Sequence, residues 1–222
     1  MQHYLEYLQI YGDRFAAGIL VTLQQSFLAC LLAISIALIF GFMKISRNKF
    51  YRVCAISYIE FFRGTSLLVQ LYWIFYVLPL FGVTLEKFTA GYLAVGFNLG
   101  AYGAELVRGS IQAVSKGQYE AAVALNMPKI TSMRRIIFPQ ALLIMLPSWG
   151  NLLIELLKGT ALVSLISVTD LMFEAKQING STFLSAESFG TALIIYYMMA
   201  RLFIAPSMRW FEKYWTKKMG RF

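Results

Sequence analysis

The chain has 222 residues, enough for one or two soluble domains, but 59% of them are hydrophobic and 14% charged, against roughly 45–50% and 25% in soluble domains. Mean hydropathy is +0.62, which excludes an ordinary soluble fold and identifies an integral membrane protein. The net charge of +9 leaves nucleic acid or membrane orientation as its cause, and a lone His3 leaves no histidine-based metal site or triad.

The chain starts MQHYLEYLQIYGDRF, without the basic start of a secretory signal peptide, so no segment is marked for removal. Residues 15–43 then run for 29 residues without Asp, Glu, Lys or Arg. A bilayer crossing needs about 20 mostly apolar residues, and a first span is predicted at 17–43. Cys30 and Cys54 lie in or beside apolar segments and make neither a disulfide framework nor a zinc site. A second charge-free tract, 64–85, predicts a span at 57–80. Tyr72, Trp73, Phe75 and Tyr76 near its outer end fit an interfacial aromatic belt. The third tract, 88–104, predicts a span at 88–107. It carries Gly91, Gly96, Gly100 and Gly103, and Gly96 with Gly100 forms a G-x-x-x-G that admits a close helix neighbour. The fourth, 136–154, predicts a span at 139–157. A fifth span at 188–207 is interrupted by Arg201 and followed by Trp210 and Trp215.

The loops between these spans orient them. Fourteen Lys and Arg fall in the loops after spans one and three and in the tail that ends with Arg221; four, Arg14, Lys87, Lys158 and Lys176, fall on the other side. Cytoplasmic loops hold the excess, so the expectation is an all-α membrane protein of five transmembrane helices, N-terminus outside and C-terminus inside. The +9 is then orientation plus attraction to anionic lipid heads. No soluble module with base-stacking aromatics is present, so nucleic acid is excluded.

The loop at about 115–139 is too ordered for a connector. Ser115 followed by Gln118 fits a capping box that would start a short helix, with Glu120 near the positive end of its dipole. Ala121, Ala122, Ala124 and Leu125 would make a smooth surface. Asn126 suits the left-handed end of a helix and Pro128 discourages continuation; Thr131 would cap a second short helix. A compact helix presented between two spans suits a groove on a partner.

The run Gly117-Gln-Tyr-Glu120-Ala121-Ala122-(x3)-Asn126-(x10)-Ile137-Phe138-Pro139-Gln140-Ala141 resembles the EAA loop of permease subunits of bacterial ABC importers. Asn126 stands where that family usually has glycine, and both residues tolerate the left-handed conformation. Arg63-Gly64-Thr65-Ser66-Leu67-Leu68-Val69-Gln70 is similar to the family's R-G-T-P-L-L-V-Q run, with Ser66 for proline. Asn98 to Gly109 and Gly150-Asn151-(x6)-Lys158-Gly-Thr160 resemble the polar amino-acid branch; residues 151–171 look most like ectoine or hydroxyectoine permeases. The resemblance implies one transmembrane permease domain over 1–222 with the type I importer permease fold, in the bacterial inner membrane. It further implies a coupling role for Gly117, Glu120, Ala121, Ala122, Asn126 and Pro139. The implied partners are a second permease subunit, identical or paralogous, two ATPase subunits that hold ATP and Mg, and an external solute-binding protein. The chain itself would carry no cofactor and no enzymatic activity.

Polar groups in spans are costly and face the bundle interior or a pathway. Gln70, Asn98, Glu155, Lys158 and Thr160 are therefore path candidates. Asn98 fits an interhelical hydrogen bond equally, and Glu155 an ion pair with Lys158. Tyr196 and Tyr197 fit packing or the path. Arg63 shares a helix face with Glu60, and Glu105 with Arg108, as structural pairs; Arg201 sits near the inner end of span five and snorkels. No G-x-x-x-x-G-K-[ST] occurs, so energy must come from another chain. The alternative, an ion-coupled carrier or small channel, lacks support: carriers are commonly built from internal repeats, and none is visible.

Overall fold

The computed structural model describes residues 2–219, which hold helices and turns and no strand; Arg221 lies outside that range. Helix α1 spans Gln2–Lys44, 43 residues or about 65 Å, twice the roughly 30 Å of a hydrocarbon core. It begins well ahead of the predicted span because Tyr7, Tyr11 and Phe15 form an aromatic stripe at helical spacing. Tyr7 lies 5.1 Å from Tyr11 and 6.3 Å from Phe15, ring to ring. Tyr7 and Phe15 are buried with Leu171, Ala175 and Ile178. Tyr7 donates to Ser188 Oγ at 3.1 Å, and Arg14 pairs with Glu174 at 2.7 Å.

Helix α2, Lys49–Gly64, is capped by Asn48, whose side chain accepts from Phe50 N. Helix α3, Leu67–Tyr72, continues through a π-helical turn Trp73–Val77 and a 3-10 turn Leu78–Phe81. The expected span over 57–80 is a broken pair of helices, bent by 103°. Thr65 and Ser66 are extended at the break. Glycine weakens a helix end, and Thr and Ser offer the backbone competing hydrogen bonds.

Helix α4, Lys87–Ala113, occupies the centre of the bundle. It runs parallel to α1, Gly96 against Leu32, Gly100 against Ile36 and Gly103 against Ala37. Among the described residues, three continuous helical stretches are long and apolar enough to cross a membrane, Glu6–Lys44, Lys129–Ile166 and Ser185–Lys218, with the bent pair as a fourth. α4 is long enough at 27 residues but is not among them. Its glycines, Asn98, Glu105 and Arg108 suit a helix surrounded by protein rather than lipid.

Beyond α5 (Lys116–Ala124) and α6 (Lys129–Ser132), a π-helical turn Met133–Ile137 leads into α7, Phe138–Thr160. The helix that contains the fourth span therefore starts at Lys129, ten residues ahead of the expected start of that span. Pro139 interrupts nothing because the turn before it widens to i+5 bonding, Phe138 N to Met133 O. α7 is antiparallel to α4, with Trp149 against Gly103 and Gly159 near Val95, and its first residue Phe138 meets Phe42 of α1. A 3-10 turn Ala161–Ile166 leads to α8, Leu171–Thr182. The chain closes with α9 (Ser185–Met198), a π-helical turn Met199–Ile204 and α10 (Ala205–Met219).

Asp170 caps α8, fully buried, accepting from Phe173 N at 2.9 Å and from Tyr196 OH at 3.3 Å. Burial outweighs these donors and pushes its carboxyl up from 3.8 to about 6. A folded value above the unfolded one means the protonated form stabilises the fold. That contribution is complete below about pH 4 and lost as pH rises through 6, a change of about 3 kcal/mol at 1.36 kcal/mol per unit. Asp170→Asn keeps an acceptor for Phe173. Its thermal melting in detergent is expected to lack the decline from pH 4 to 7 that the parent chain shows; parallel profiles refute the assignment.

Candidate functional site

The loop after α4 forms a small rigid platform. α5 starts at Ser115 as expected, but Ser115 makes no side-chain cap, so the capping box does not form. The helix ends in a Schellman turn: Asn126 is left-handed at φ 51°, its N–H bonds to Val123 O at 2.9 Å, and Met127 N bonds to Ala122 O at 3.0 Å. α6 is led by Pro128 rather than capped by Thr131, because extended backbone at the proline ends one helix and its carbonyl begins the next. Tyr119 OH donates to Ile111 O at 2.8 Å and fastens α5 to α4. Ala122 is buried, whereas Gly117, Glu120, Ala121 and Asn126 are exposed and Pro139 is half-buried at the start of α7. Val123, Leu125 and Ile130 are 73, 74 and 83% exposed on the same platform. Three such side chains held open to water mark a contact surface.

The second feature is a polar cleft of about 290 Å³ between α2, α4 and α7. Arg63, Tyr102, Glu105, Ser148, Asn151 and Glu155 line it. Arg63 lies over the Tyr102 ring at 5.3 Å, a cation–π contact, and no ion pair with Glu60 forms. Glu105 joins Lys44 and Arg108, the latter at 2.8 Å, so the expected Glu105–Arg108 pair is a three-membered cluster that ties α1 to α4. Asn151, Glu155 and Lys158 repeat at helical spacing and form one exposed strip of α7. Glu155 and Lys158 make no ion pair with each other. On the far side of the strip, Lys158, Tyr196, Tyr197 and Arg201 line a groove of about 520 Å³. Arg201 also borders Asn151 and Ile154, beside the middle of α7 rather than at an inner end. The strip is therefore flanked by a guanidinium on each side.

The other path candidates lie elsewhere. Asn98 and Gln70 are buried against each other, Asn98 Nδ2 donating to Gln70 Oε1 at 3.1 Å and to Phe62 O at 3.0 Å. Gln70 Nε2 donates to Thr65 Oγ1 at 2.6 Å and Phe62 O at 3.0 Å. The 103° break leaves carbonyls at the end of α2 without helical partners. In a water-free interior such groups cost several kcal/mol each unless satisfied. These two amides satisfy the carbonyls of Phe62 and Thr65. Thr160 is fully buried and bonds back to Leu157 O at 2.7 Å. Tyr102 and Ser148 of this cleft are not among the residues singled out in the sequence, and Arg63 is read there only as a pair with Glu60, since nothing in a linear sequence places α2, α4 and α7 around one cleft.

Residues 19–217 match the family model described as "Binding-protein-dependent transport system inner membrane component". The "Probable amino-acid ABC transporter permease protein y4tF" of Sinorhizobium fredii is 44% identical, covering 87% of each chain. The "Putative glutamine transport system permease protein GlnP" of Rickettsia felis is 39% identical over 83% of this chain and 85% of that protein. Among solved structures, an amino acid ABC transporter crystallised with histidines superposes with a TM-score of 0.87 at 39% identity, covering 95% of this chain and 97% of its own. These relatives are membrane transport components rather than enzymes. The chain belongs to the inner membrane component family of binding-protein-dependent transport systems, the permease subunits of ABC importers.

Proposed function

We propose that this permease carries a zwitterionic solute, a polar amino acid or an ectoine-like compound, into the cytoplasm along the polar strip of α7. The observation that carries the reading is Glu155, exposed between Asn151 and Lys158 in the cleft that Arg63 lines, with Arg201 bordering Asn151 and Lys158 on the other side of the strip. A carboxylate with guanidinium groups on both sides offers partners for each charge of a zwitterion. The relatives named for amino acids support the solute class.

The proposed topology is five crossings, N-terminus outside and C-terminus in the cytoplasm of a bacterial inner membrane. The antiparallel courses of α4 and α7 and the parallel courses of α1 and α4 are compatible with it. One such chain cannot enclose a sheltered passage, so the exposed strip faces a second permease subunit, identical or paralogous. Two ATPase subunits, holding ATP and Mg, dock on Gly117, Glu120, Ala121 and the platform that Ala122, Asn126 and Pro139 support. An external solute-binding protein delivers the solute. Nucleotide and loaded binding protein shift the population between inward- and outward-facing states, each preferring one of them.

The test is Glu155→Gln in the reconstituted importer. Loss of one partner of a desolvated charge contact costs about 2 kcal/mol or more, so uptake of cationic or zwitterionic amino acids is expected to fall by about thirtyfold or more. Unchanged apparent affinity and rate would remove Glu155 from the path.

A further inference from the structure

The sequence puts Arg209 in the tail beyond a fifth span that ends at 207, but the helices pack otherwise. A Cβ added to Gly150 of α7 would touch Met208 Cβ at 3.5 Å, so α10 starts beside α7 rather than below it. Gly150 belongs to the continuous helical stretch Lys129–Ile166 and lies about 4 Å along it from its midpoint. At this level a cleft of about 270 Å³ opens between residues 146–154 of α7 and Arg201, Ala205, Arg209 and Glu212. Charged side chains at such depth are costly in lipid and face a protein interior or a water-filled cavity.

Arg209 and Glu212 stand at i, i+3, a spacing that lets opposite charges pair. They do not pair. Arg209 Nε donates to Ala205 O at 3.2 Å, and among the described residues none of Arg201, Arg209 and Glu212 joins an ion pair. Arg201 and Arg209 are exposed and Glu212 is half-buried, so two guanidiniums and one carboxylate stay open on one cleft. Shared residues join this cleft to the polar strip. Asn151 lines both it and the cleft that holds Glu155, and Arg201 lines both it and the groove beside Lys158. From Glu155 through Asn151 to Arg209 and Glu212 the charges run toward the start of α7, the end that carries the α5–α6 platform. We infer that the α7–α10 cleft is an inner subsite for the zwitterionic solute, with Arg201 and Arg209 taking its carboxylate and Glu212 its ammonium group. An anion alone leaves Glu212 unpaired and a cation alone leaves both guanidiniums so, whereas a molecule with both charges meets all three. The subsite rests on the solute class and passage proposed above.

The assembled importer, with cysteine-free partner subunits, tests this in proteoliposomes. Uptake of radiolabelled glutamine, histidine and ectoine first identifies a solute that the parent carries. Cys30→Ser, Cys54→Ser and Ala205→Cys then place one thiol in the cleft, and its modification by a charged methanethiosulfonate reagent is timed with and without that solute. The thiol is expected to react, and to react about tenfold more slowly at ten times the solute concentration that half-protects it. Adding E212Q or R209Q to this background is expected to abolish the protection, and E212D, which keeps the charge, to preserve it. Uptake falls by about thirtyfold or more in E212Q. A thiol closed to the reagent, or protection that survives E212Q, overturns the inner subsite and leaves Glu155 to its own test. So does a thiol that the solute does not protect, the result if a lipid headgroup fills the cleft. Uptake of none of these solutes overturns the solute class and the subsite together.

Discussion

Replacing Glu120 with lysine is expected to uncouple ATP hydrolysis from uptake in the reconstituted importer while the permease still inserts and folds. Glu120 is exposed on α5, and surface substitutions away from packed features change stability by about 0.5 kcal/mol or less. The fold is therefore indifferent to the change. The proposed contact is not. Truncating one partner of a buried charge pair at an interface costs about 2–5 kcal/mol, a factor of about 30 to several thousand in affinity, and charge reversal adds repulsion. The expected outcome is uptake near background, with an unchanged melting profile and an ATPase subunit that dissociates from the complex or hydrolyses ATP without transport. Glu120→Gln, which keeps the shape, lies between the two. Normal coupled transport by the lysine variant would remove Glu120 from the docking surface, and the exposed Val123, Leu125 and Ile130 would have to carry it.

The second large effect concerns the helix contact on which both sites are mounted. An added Cβ at Gly100 would meet Ile36 Cγ2 at 2.7 Å and Ile36 Cβ at 2.9 Å; at Gly96 it would meet Leu32 Cδ2 at 2.7 Å. Atoms that close cannot be accommodated without separating α1 from α4. Overpacking costs about 1–3 kcal/mol per site, and adjacent sites on one contact compound it. The double variant G96V/G100V is expected to lose about 3–5 kcal/mol, much of the 5–15 kcal/mol that holds a typical domain. It should elute as aggregate in mild detergent. Gly109 of α4 has open space around it, so G109A should be neutral or slightly stabilising. If both behave alike, the close approach is not what the glycines are for.

Much of this was legible without coordinates. Charge-free tracts of 29 and 22 residues reveal apolar helices because a bilayer tolerates so little charge. The G-x-x-x-G of α4 announced a close neighbour, though not that the neighbour is α1. Asn126 and Pro128 marked the end of α5, since few residues other than glycine accept positive φ. The two cap readings, at Ser115 and Thr131, failed for local reasons. Ser115 and Gln118 have the spacing of a capping box, but spacing does not choose a rotamer. The charge-free tract at 64–85 gave no warning of a 103° break, because hydropathy registers what a segment can dissolve in and not whether Thr65 and Ser66 remain helical.

The polar residues show the boundary most clearly. Gln70, Asn98, Glu155, Lys158 and Thr160 are equivalent in one dimension, each a polar group in an apolar tract. Composition and order alone establish that the chain is helical, belongs in a membrane and presents an ordered loop between two spans, because those properties depend on residue type and spacing within one segment. Which polar groups satisfy backbone at the α2–α3 break and which stay open between Arg63 and Arg201 depends on how α2, α4 and α7 meet. That is a matter of contacts between segments far apart in the chain, such as Asn98 with Phe62 across 36 positions, so it is settled only when the helices pack.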